Sequence, residues 1–331
     1  MIKVIHLGLG PLGQKVIRFA LERGFIRIVG AVDPSPDIAG RDLGEVCDLE
    51  KMNLVVSPDV ATALKNSKPT VALVTTVSSL KKLEPQVIEL AKAGLHIVST
   101  CEELSFPWKT QPQIAKRIDE ACRENNVVCV GTGINPGYLM DFLPSVLTGL
   151  CQRVDQVIVH RVQNASSRRV PFQQKIGAGL TLPQFHKKVS VGTLRHVGLT
   201  ESAHMIAHHL GWKLEKVTED LNPVIAEKDI TDGYIPITRG LACGVAQMAC
   251  GFMDKKEVIH LYFKAAVGIP ESFDRIEIKG EPNIVSTIAG GVHGDIASCG
   301  VTINAIRSVV NSKPGLRTMV DMYPFGYCGA I

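Results

Sequence analysis

The run Val4-Ile5-His6-Leu7-Gly8-Leu9-Gly10-Pro11-Leu12-Gly13 sets the architecture of this 331-residue chain. Its first residues complete an apolar, β-branched segment that starts at Ile2. From Leu12 to Glu22 the apolar residues recur at helical spacing. The glycines fall as G-x-G-x-x-G at the junction of that strand and that helix. In this setting Gly8 permits a tight turn, Gly10 lets the backbone approach a pyrophosphate, and Gly13 lets the helix lie close to the strand. Pro11 and Leu12 open the helix, whose first-turn N–H groups and positive dipole end face the phosphates. Asp33 lies twenty residues beyond Gly13, at the end of a second strand, where its carboxylate can accept hydrogen bonds from an adenosine ribose. The cofactor is therefore NAD or NADP. Asp33 argues for NAD by repelling a 2′-phosphate, whereas Arg41 on the following loop would tolerate one, and the sequence leaves both open.

Outward from this motif, β-branched runs alternate with amphipathic stretches. Strands are predicted at Ile2–Leu7, Arg27–Val32, Leu54–Val56, Val71–Thr75, His96–Ser99 and Val127–Val130, and helices at Leu12–Glu22, Leu80–Ala93 and Pro112–Asn125. Such alternation implies right-handed βαβ units and a parallel sheet covered on both faces. After Asn135-Pro136-Gly137 the texture changes. An apolar helix over Tyr138–Leu150 is followed by strand-like runs at Gln156–Val162, Glu257–Val267 and Arg275–Lys279, and by a helical pattern over Asp295–Val310. The expected fold is α/β: a Rossmann-type parallel sheet domain plus a second α+β domain with a mixed or antiparallel sheet. The first domain is expected over 1–135 and completed by 296–331. The second, for substrate and dimerisation, is expected over 136–295.

Ligands of open α/β sheets bind outside the carboxyl ends of the strands, and three such ends carry suggestive chemistry. Thr75, Thr76 and Ser78 offer hydroxyls to a ribose or nicotinamide, or a cap to the next helix. Thr100, Cys101, Glu102 and Glu103 follow the next strand. There Thr100 and Cys101 are candidates for cofactor contact, and Glu102 and Glu103 for catalysis. A carboxylate beside a nicotinamide can stabilise a developing cation or handle protons, while the plainer reading makes both acids helix-starting surface residues. Asn135, in Gly131-Thr132-Gly133-Ile134-Asn135-Pro136-Gly137, is a further cofactor candidate on a rigid turn. Tyr138 and Met140 are candidate pocket walls, as is Phe142, for which a core role is at least as plausible. His293 sits in the glycine-rich Gly290–Asp295 turn, which reads equally as a structural turn; with Arg161 and Asn164 it completes the expected substrate pocket.

Composition narrows the function classes. Lys and Arg total 36 against 32 Asp and Glu, a net charge of +4, and the basic residues are scattered. Nucleic-acid binding needs a denser basic face, so no nucleic-acid partner is expected. No stretch approaches the roughly 18 apolar residues that span a membrane, and Met1-Ile2-Lys3 leads directly into the first strand. The nine cysteines are dispersed, with no C-x-x-C, and read as reduced thiols. A cytoplasmic location is expected. His204 and His208 are spaced i, i+4, but no third ligand is evident, so no metal is expected.

Gly131–Gly137, Ser99–Glu103 and the block Ser167-Arg168-Arg169-Val170-Pro171-Phe172-Gln173-Gln174-Lys175-Ile176-Gly177-Ala178-Gly179 together resemble the 2,4-diaminopentanoate dehydrogenase family and its native amine dehydrogenase relatives. The likeness continues through Gly198–Ser202, Leu210–Trp212 and Gly290–Asp295, and so spans nearly the whole chain. The resemblance implies a fold like that of dihydrodipicolinate reductase and a homodimer. It implies NAD(P)-dependent oxidative deamination of an amine, or in reverse the reductive amination of a ketone or aldehyde with ammonia. It also implies a catalytic glutamate within Thr100–Glu103, which points to Glu102 while leaving Glu103 in play. If the substrate is a diamino acid, Arg161, Arg168, Arg169 and Lys175 are available for its carboxylate; the alternative is that they order a loop or a dimer contact. A dihydrodipicolinate reductase-like enzyme and a dinucleotide-binding redox sensor are the alternatives.

Overall fold

The computed structural model describes residues 1–65, 67–168, 170–194, 197–323 and 326–329. Along the chain β1 (Ile2–Leu7), α1 (Pro11–Leu21), β2 (Ile26–Val32), β3 (Val71–Val74), α2 (Leu80–Lys92), β4 (His96–Ser99), α3 (Pro112–Glu124) and β5 (Val128–Gly131) come first. Then follow β6 (Arg153–Asn164), α4 (Leu182–Ser190), α5 (Leu199–His209), β7 (Lys216–Ile225), β8 (Ala242–Met253), β9 (Lys256–Ala266), β10 (Phe273–Glu281) and β11 (Ile284–Ala289). Last come α6 (Gly294–Val309) and β12 (Gly315–Arg317). The chain divides into two compact units, Met1–Tyr138 with His293–Ile331, and Leu139–Val292.

The first unit is built on a parallel sheet of order β12-β5-β4-β3-β1-β2. Its central strands are buried on both faces, with Val4, Ile5 and Leu7 of β1 and all four residues of β3 at or near zero exposure. This burial explains why they read as continuous apolar runs rather than alternating ones. One core layer gathers Leu80, Leu83, Val87 and Leu90 of α2 with Ala115, Ile118 and Cys122 of α3. Helix α6 packs on α1, β4 and β5. The sixth strand, β12, pairs Leu316 with Cys129 and closes the β5 edge.

One predicted strand is absent. Leu54–Val56 contributes only an isolated bridge between Val55 and Asp42. The Asp42 carboxylate accepts bonds from the Gly44, Met52 and Leu54 amides, so a side chain organises this loop in place of a ladder. The predicted helix at Tyr138–Leu150 is also shorter. Asp141 caps a helix that runs only from Phe142 to Leu147, with a 3₁₀ turn over Thr148–Leu150.

The second unit carries a mixed sheet of order β11-β10-β6-β9-β8-β7, in which only the β6–β9 pair is parallel. One face packs Val157 and Val159 of β6 and Ile259, Leu261 and Phe263 of β9 against Leu199, Ala203 and Ile206 of α5. Among the described residues, no helix is long and apolar enough to cross a membrane.

Candidate functional site

Chain direction reverses sharply where β1 meets α1. Gly8 has φ +88°, and a side chain there would come within 2.9 Å of the Thr75 carbonyl. A Cβ on Gly13 would sit 2.7 Å from Thr75 Oγ1 and 2.9 Å from His6 Nε2, so the helix could not lie this close to the strands with any larger residue. Gly10 is different. Nothing lies within 4 Å of its Cβ direction, and with Pro11 it forms the exposed tip of the turn, while Leu12 is half-buried. Tight turn, close helix and open backbone are the three features a pyrophosphate-binding turn needs. Gly10 is the N-cap of α1 and Pro11 its first residue. At such a position Pro gives up only a donor that has no intrahelical partner.

Asp33 holds this turn from the end of β2. Its Oδ2 accepts the Leu9 amide at 2.7 Å and its Oδ1 the Ser35 amide at 2.9 Å. A carboxylate has about four acceptor positions, so capacity for ribose hydroxyls is left over. Thr75 has a comparable task, donating from Oγ1 to the Gly8 carbonyl at 2.8 Å. Its hydroxyl thus positions the glycine turn.

His6 escaped the sequence reading. It is fully buried, and its Nε2 lies 3.1 Å from both the Gly8 carbonyl and Thr75 Oγ1. A carbonyl can only accept, so Nε2 carries the proton and Nδ1 is left as a buried acceptor without a partner among the described residues. Burial lowers its pKa to about 4, against the opposing pull of the Gly8 carbonyl. The signal available in the sequence was a histidine inside an otherwise apolar strand, immediately before the glycine motif.

The ends of β4 and β5 meet at the same end of the sheet, with β3 between them and this turn. Glu102, Glu103 and Leu104 form one 3₁₀ turn directly after β4. A side chain on Gly131, the last residue of β5, would come within 2.6 Å of the Leu104 backbone. That glycine lets the two strand ends approach. The two glutamates then diverge in role. Glu103 Oε2 accepts the Leu80 amide and the Gln111 side-chain amide, each at 2.8 Å. It caps α2 in place of Ser79, whose side chain makes no capping bond. Glu102 is half-buried; its carbonyl accepts the Ser105 amide, but its side chain makes no hydrogen bond or ion pair among the described residues. Cys101 is fully buried, and burial pushes its thiol up to about 12, so it is held as a neutral thiol. Thr100 is half-buried, its amide bonded to the Val74 carbonyl.

Three polar side chains around these strand ends are buried without partners among the described residues: Ser105 Oγ, Thr132 Oγ1, and both amide atoms of Asn135. Buried polar atoms are nearly always hydrogen-bonded, and such a cluster at the carboxyl ends of a parallel sheet fits a ligand that supplies the missing bonds. Among the remaining candidates of this unit, Thr76 and Ser78 are exposed, and Thr76 donates to the Gln86 side chain at 2.9 Å. Arg41 is exposed and bonds the Asp37 carbonyl at 3.3 Å. Tyr138 is half-buried, and His293 is exposed at the N-cap of α6.

In the second unit, the residues expected at a substrate pocket are tied into the sheet. Arg161 and Asp274 face one another across β6 and β10, with Nη1 and Oδ1 2.5 Å apart and both side chains about 95% buried. The second guanidinium nitrogen donates to the Val292 carbonyl at 2.9 Å, and Asp274 Oδ2 accepts the Val292 amide at 2.7 Å. Asn164 uses both ends of its amide locally, on the Ile269 carbonyl and the Ser166 amide. Met140 is fully buried in the unit's hydrophobic core. Arg168 stacks its guanidinium 4.1 Å from the Phe172 ring, and Lys175 is exposed. Arg169 lies outside the described residues.

Residues 138–327 match the model of the 2,4-diaminopentanoate dehydrogenase C-terminal domain. A 2,4-diaminopentanoate dehydrogenase of Acetoanaerobium sticklandii is 31% identical, over 97% of this chain and 93% of that protein. The chain belongs to the 2,4-diaminopentanoate dehydrogenase family. An amine dehydrogenase of Streptomyces virginiae is similar at 21% identity, covering 97% of this chain and 96% of its own. The solved structure of an amine dehydrogenase from Mycobacterium smegmatis has the same fold, with a TM-score of 0.86 at 23% identity over 99% of this chain and 97% of that one.

Proposed function

We propose that this member of the family is an NAD(P)-dependent amine dehydrogenase in which Glu102 is the catalytic carboxylate. The observation that carries the reading is the contrast between two adjacent glutamates at the end of β4. The Glu103 carboxylate is fixed as a helix cap, while the Glu102 carboxylate makes no hydrogen bond or ion pair among the described residues. The dinucleotide would lie on the Gly8–Gly13 turn, with its ribose at Asp33. The orphaned Thr132 and Asn135 side chains, at the same end of the sheet, offer bonds to it. When bound, the nicotinamide supplies the hydride acceptor or donor.

The other requirements fall on the chain. In the oxidative direction an amine loses hydride and becomes an iminium cation, which water converts to a carbonyl and ammonium. In the reductive direction ammonia adds to the carbonyl, water leaves, and the iminium takes up hydride. Either way a cation develops where a neutral molecule stood. A carboxylate beside the reacting centre favours that species over the neutral one. Glu102 can also take a proton from ammonium or from the attacking water.

A second reading, a diamino acid as substrate, is supported by the 31% identical relative. Against it stands Arg161, whose charge is already balanced by Asp274; exposed Lys175 is the freer cation. Homodimerisation is part of the proposal.

The test is the oxidation of NADH or NADPH by purified protein with ammonium and a carbonyl panel. The panel spans aliphatic ketones, aldehydes, cyclohexanone and 2-amino-4-oxopentanoate. Ammonium-dependent oxidation is expected, abolished or cut at least about 100-fold in Glu102→Gln, with dinucleotide affinity nearly unchanged. Undiminished turnover in that variant would remove Glu102 from the mechanism. Activity confined to the amino-oxo acid would favour the second reading.

A further inference from the structure

In the second unit a β-bulge brings three metal-ligating side chains together. Strands β8 and β9 pair in regular antiparallel register from Gly244↔Ala266 to Gly251↔Ile259, with Cys250 opposite His260. The next pair is Phe252↔Glu257, so Val258 is an extra residue in β9. Without it, the two-residue period would place Glu257 on the face opposite His260. With it, Val258 turns into the core at 6% exposure and Glu257 comes round to the imidazole.

We infer that Cys250, Glu257 and His260 form a binding site for one divalent transition-metal ion of the zinc class. Their ligand atoms lie within 4.8 Å of one another. His260 Nδ1 is 3.7 Å from Cys250 Sγ and 3.0 Å from Glu257 Oε1. Tetrahedral zinc, with metal–ligand bonds of about 2.3 Å to sulfur and about 2.0–2.1 Å to nitrogen and oxygen, separates sulfur from nitrogen by about 3.5 Å and nitrogen from oxygen by about 3.4 Å. The observed separations bracket those values within a few tenths of an ångström.

The three side chains already bond one another: the imidazole N–H can donate to Glu257, and the Cys250 thiol bonds the same carboxylate. A cation among the three ligand atoms would take the place of these protons. Asp220 adds a further carboxylate charge near the Cys250 thiol, whose pKa burial pushes up to about 12, so a bound metal would have to displace the thiol proton. Supporting groups are also present. The Gln156 side-chain amide reaches Glu257 Oε1 at 3.4 Å, and the His160 ring stands edge-on to His260 at 5.8 Å. Such outer contacts orient ligands and raise their affinity. Three protein ligands leave a fourth position for water. One sulfur, one nitrogen and one oxygen donor suit zinc and cobalt better than magnesium or calcium, which take oxygen donors.

The test uses the full chain after chelator treatment, without dinucleotide, titrated with Co²⁺. One equivalent should bind with an intense thiolate-to-cobalt charge-transfer band in the near ultraviolet and d–d bands in the visible. Zn²⁺ should displace it and raise the Tm. Cys250→Ser should lose the charge-transfer band, and Glu257→Gln, a milder change at the rim, should weaken Co²⁺ binding at least about tenfold. Circular dichroism of each variant reports whether it folds. No charge-transfer band at saturating Co²⁺ would overturn the inference. So would the same band in a folded Cys250→Ser, since it would then come from one of the other eight cysteines.

Discussion

Replacing His6 by glutamine should flatten the loss of stability on acidification. In the folded chain burial holds the imidazole at about 4, against an unfolded value near 6.5. The unfolded chain therefore takes up a proton at higher pH than the folded one, and stability falls as pH drops from about 6.5 towards 4. Integrating between about pH 7 and about pH 5 gives close to 2 kcal/mol, and the full shift of about 2.5 units corresponds to about 3 kcal/mol. Other groups contribute to acid sensitivity. Asp42 and Asp59 are held below the usual carboxylate range, chiefly by backbone amides of Met52 and Thr62. They are present in both proteins and cancel in the comparison. The assay is urea denaturation of wild type and His6→Gln at half-unit pH intervals, read as the difference of their pH slopes. Glutamine lowers stability at every pH by disturbing the Gly8–Thr75 contacts, so only the slope is diagnostic. Slopes that agree within about 0.5 kcal/mol over that range would refute a buried neutral His6.

Glu103→Ala should cost about 1 kcal/mol in urea denaturation by uncapping α2 while leaving turnover within a few-fold; a loss of turnover matching Glu102→Gln would reverse the roles assigned to the pair. Asp33→Ala should weaken NAD binding, measured by calorimetry, more than NADP binding, and equal losses would count against a ribose contact. Asp274→Asn should destabilise the protein by about 3–5 kcal/mol, because it leaves the Arg161 guanidinium buried with its charge unbalanced; a cost under about 1 kcal/mol would mean that the pair is better solvated than its burial implies.

The parallel sheet was legible because its signal is local. Each of the strands β1 to β5 is a short, largely apolar run, and the glycine motif places a turn, a helix and an acid at fixed offsets. What could not be read depended on long-range pairing. Strand β8, Ala242–Met253, is rich in Ala, Gly and Cys, residues of weak strand preference, and it is a strand because β7 and β9 flank it. Strand β7 carries Pro223 and several charges, which an edge strand tolerates. Strand β12 is three residues long and acquires its identity only beside β5. The same limit applied to side chains. In the sequence the resemblance points to Glu102 and leaves Glu103 in play, and only the fold brings the Leu80 and Gln111 donors to Glu103. Arg161 read as a free cation because Asp274 is 113 residues away. The Cys250–Glu257–His260 cluster was hidden by the bulge, since strict alternation puts Glu257 and His260 on opposite faces.

Strand β12 also bears on how the protein is made. During synthesis β5 emerges early, but Gly315–Arg317, which pair with Val128–Val130, follow the whole of Leu139–Val292. The intervening unit is contiguous and can fold as soon as it leaves the ribosome. The nucleotide-binding sheet meanwhile carries an unpaired edge, with the backbone N–H and C=O groups of β5 open to any passing strand. Nascent chains stalled before residue 315 should therefore be the ones that chaperones capture and that aggregate.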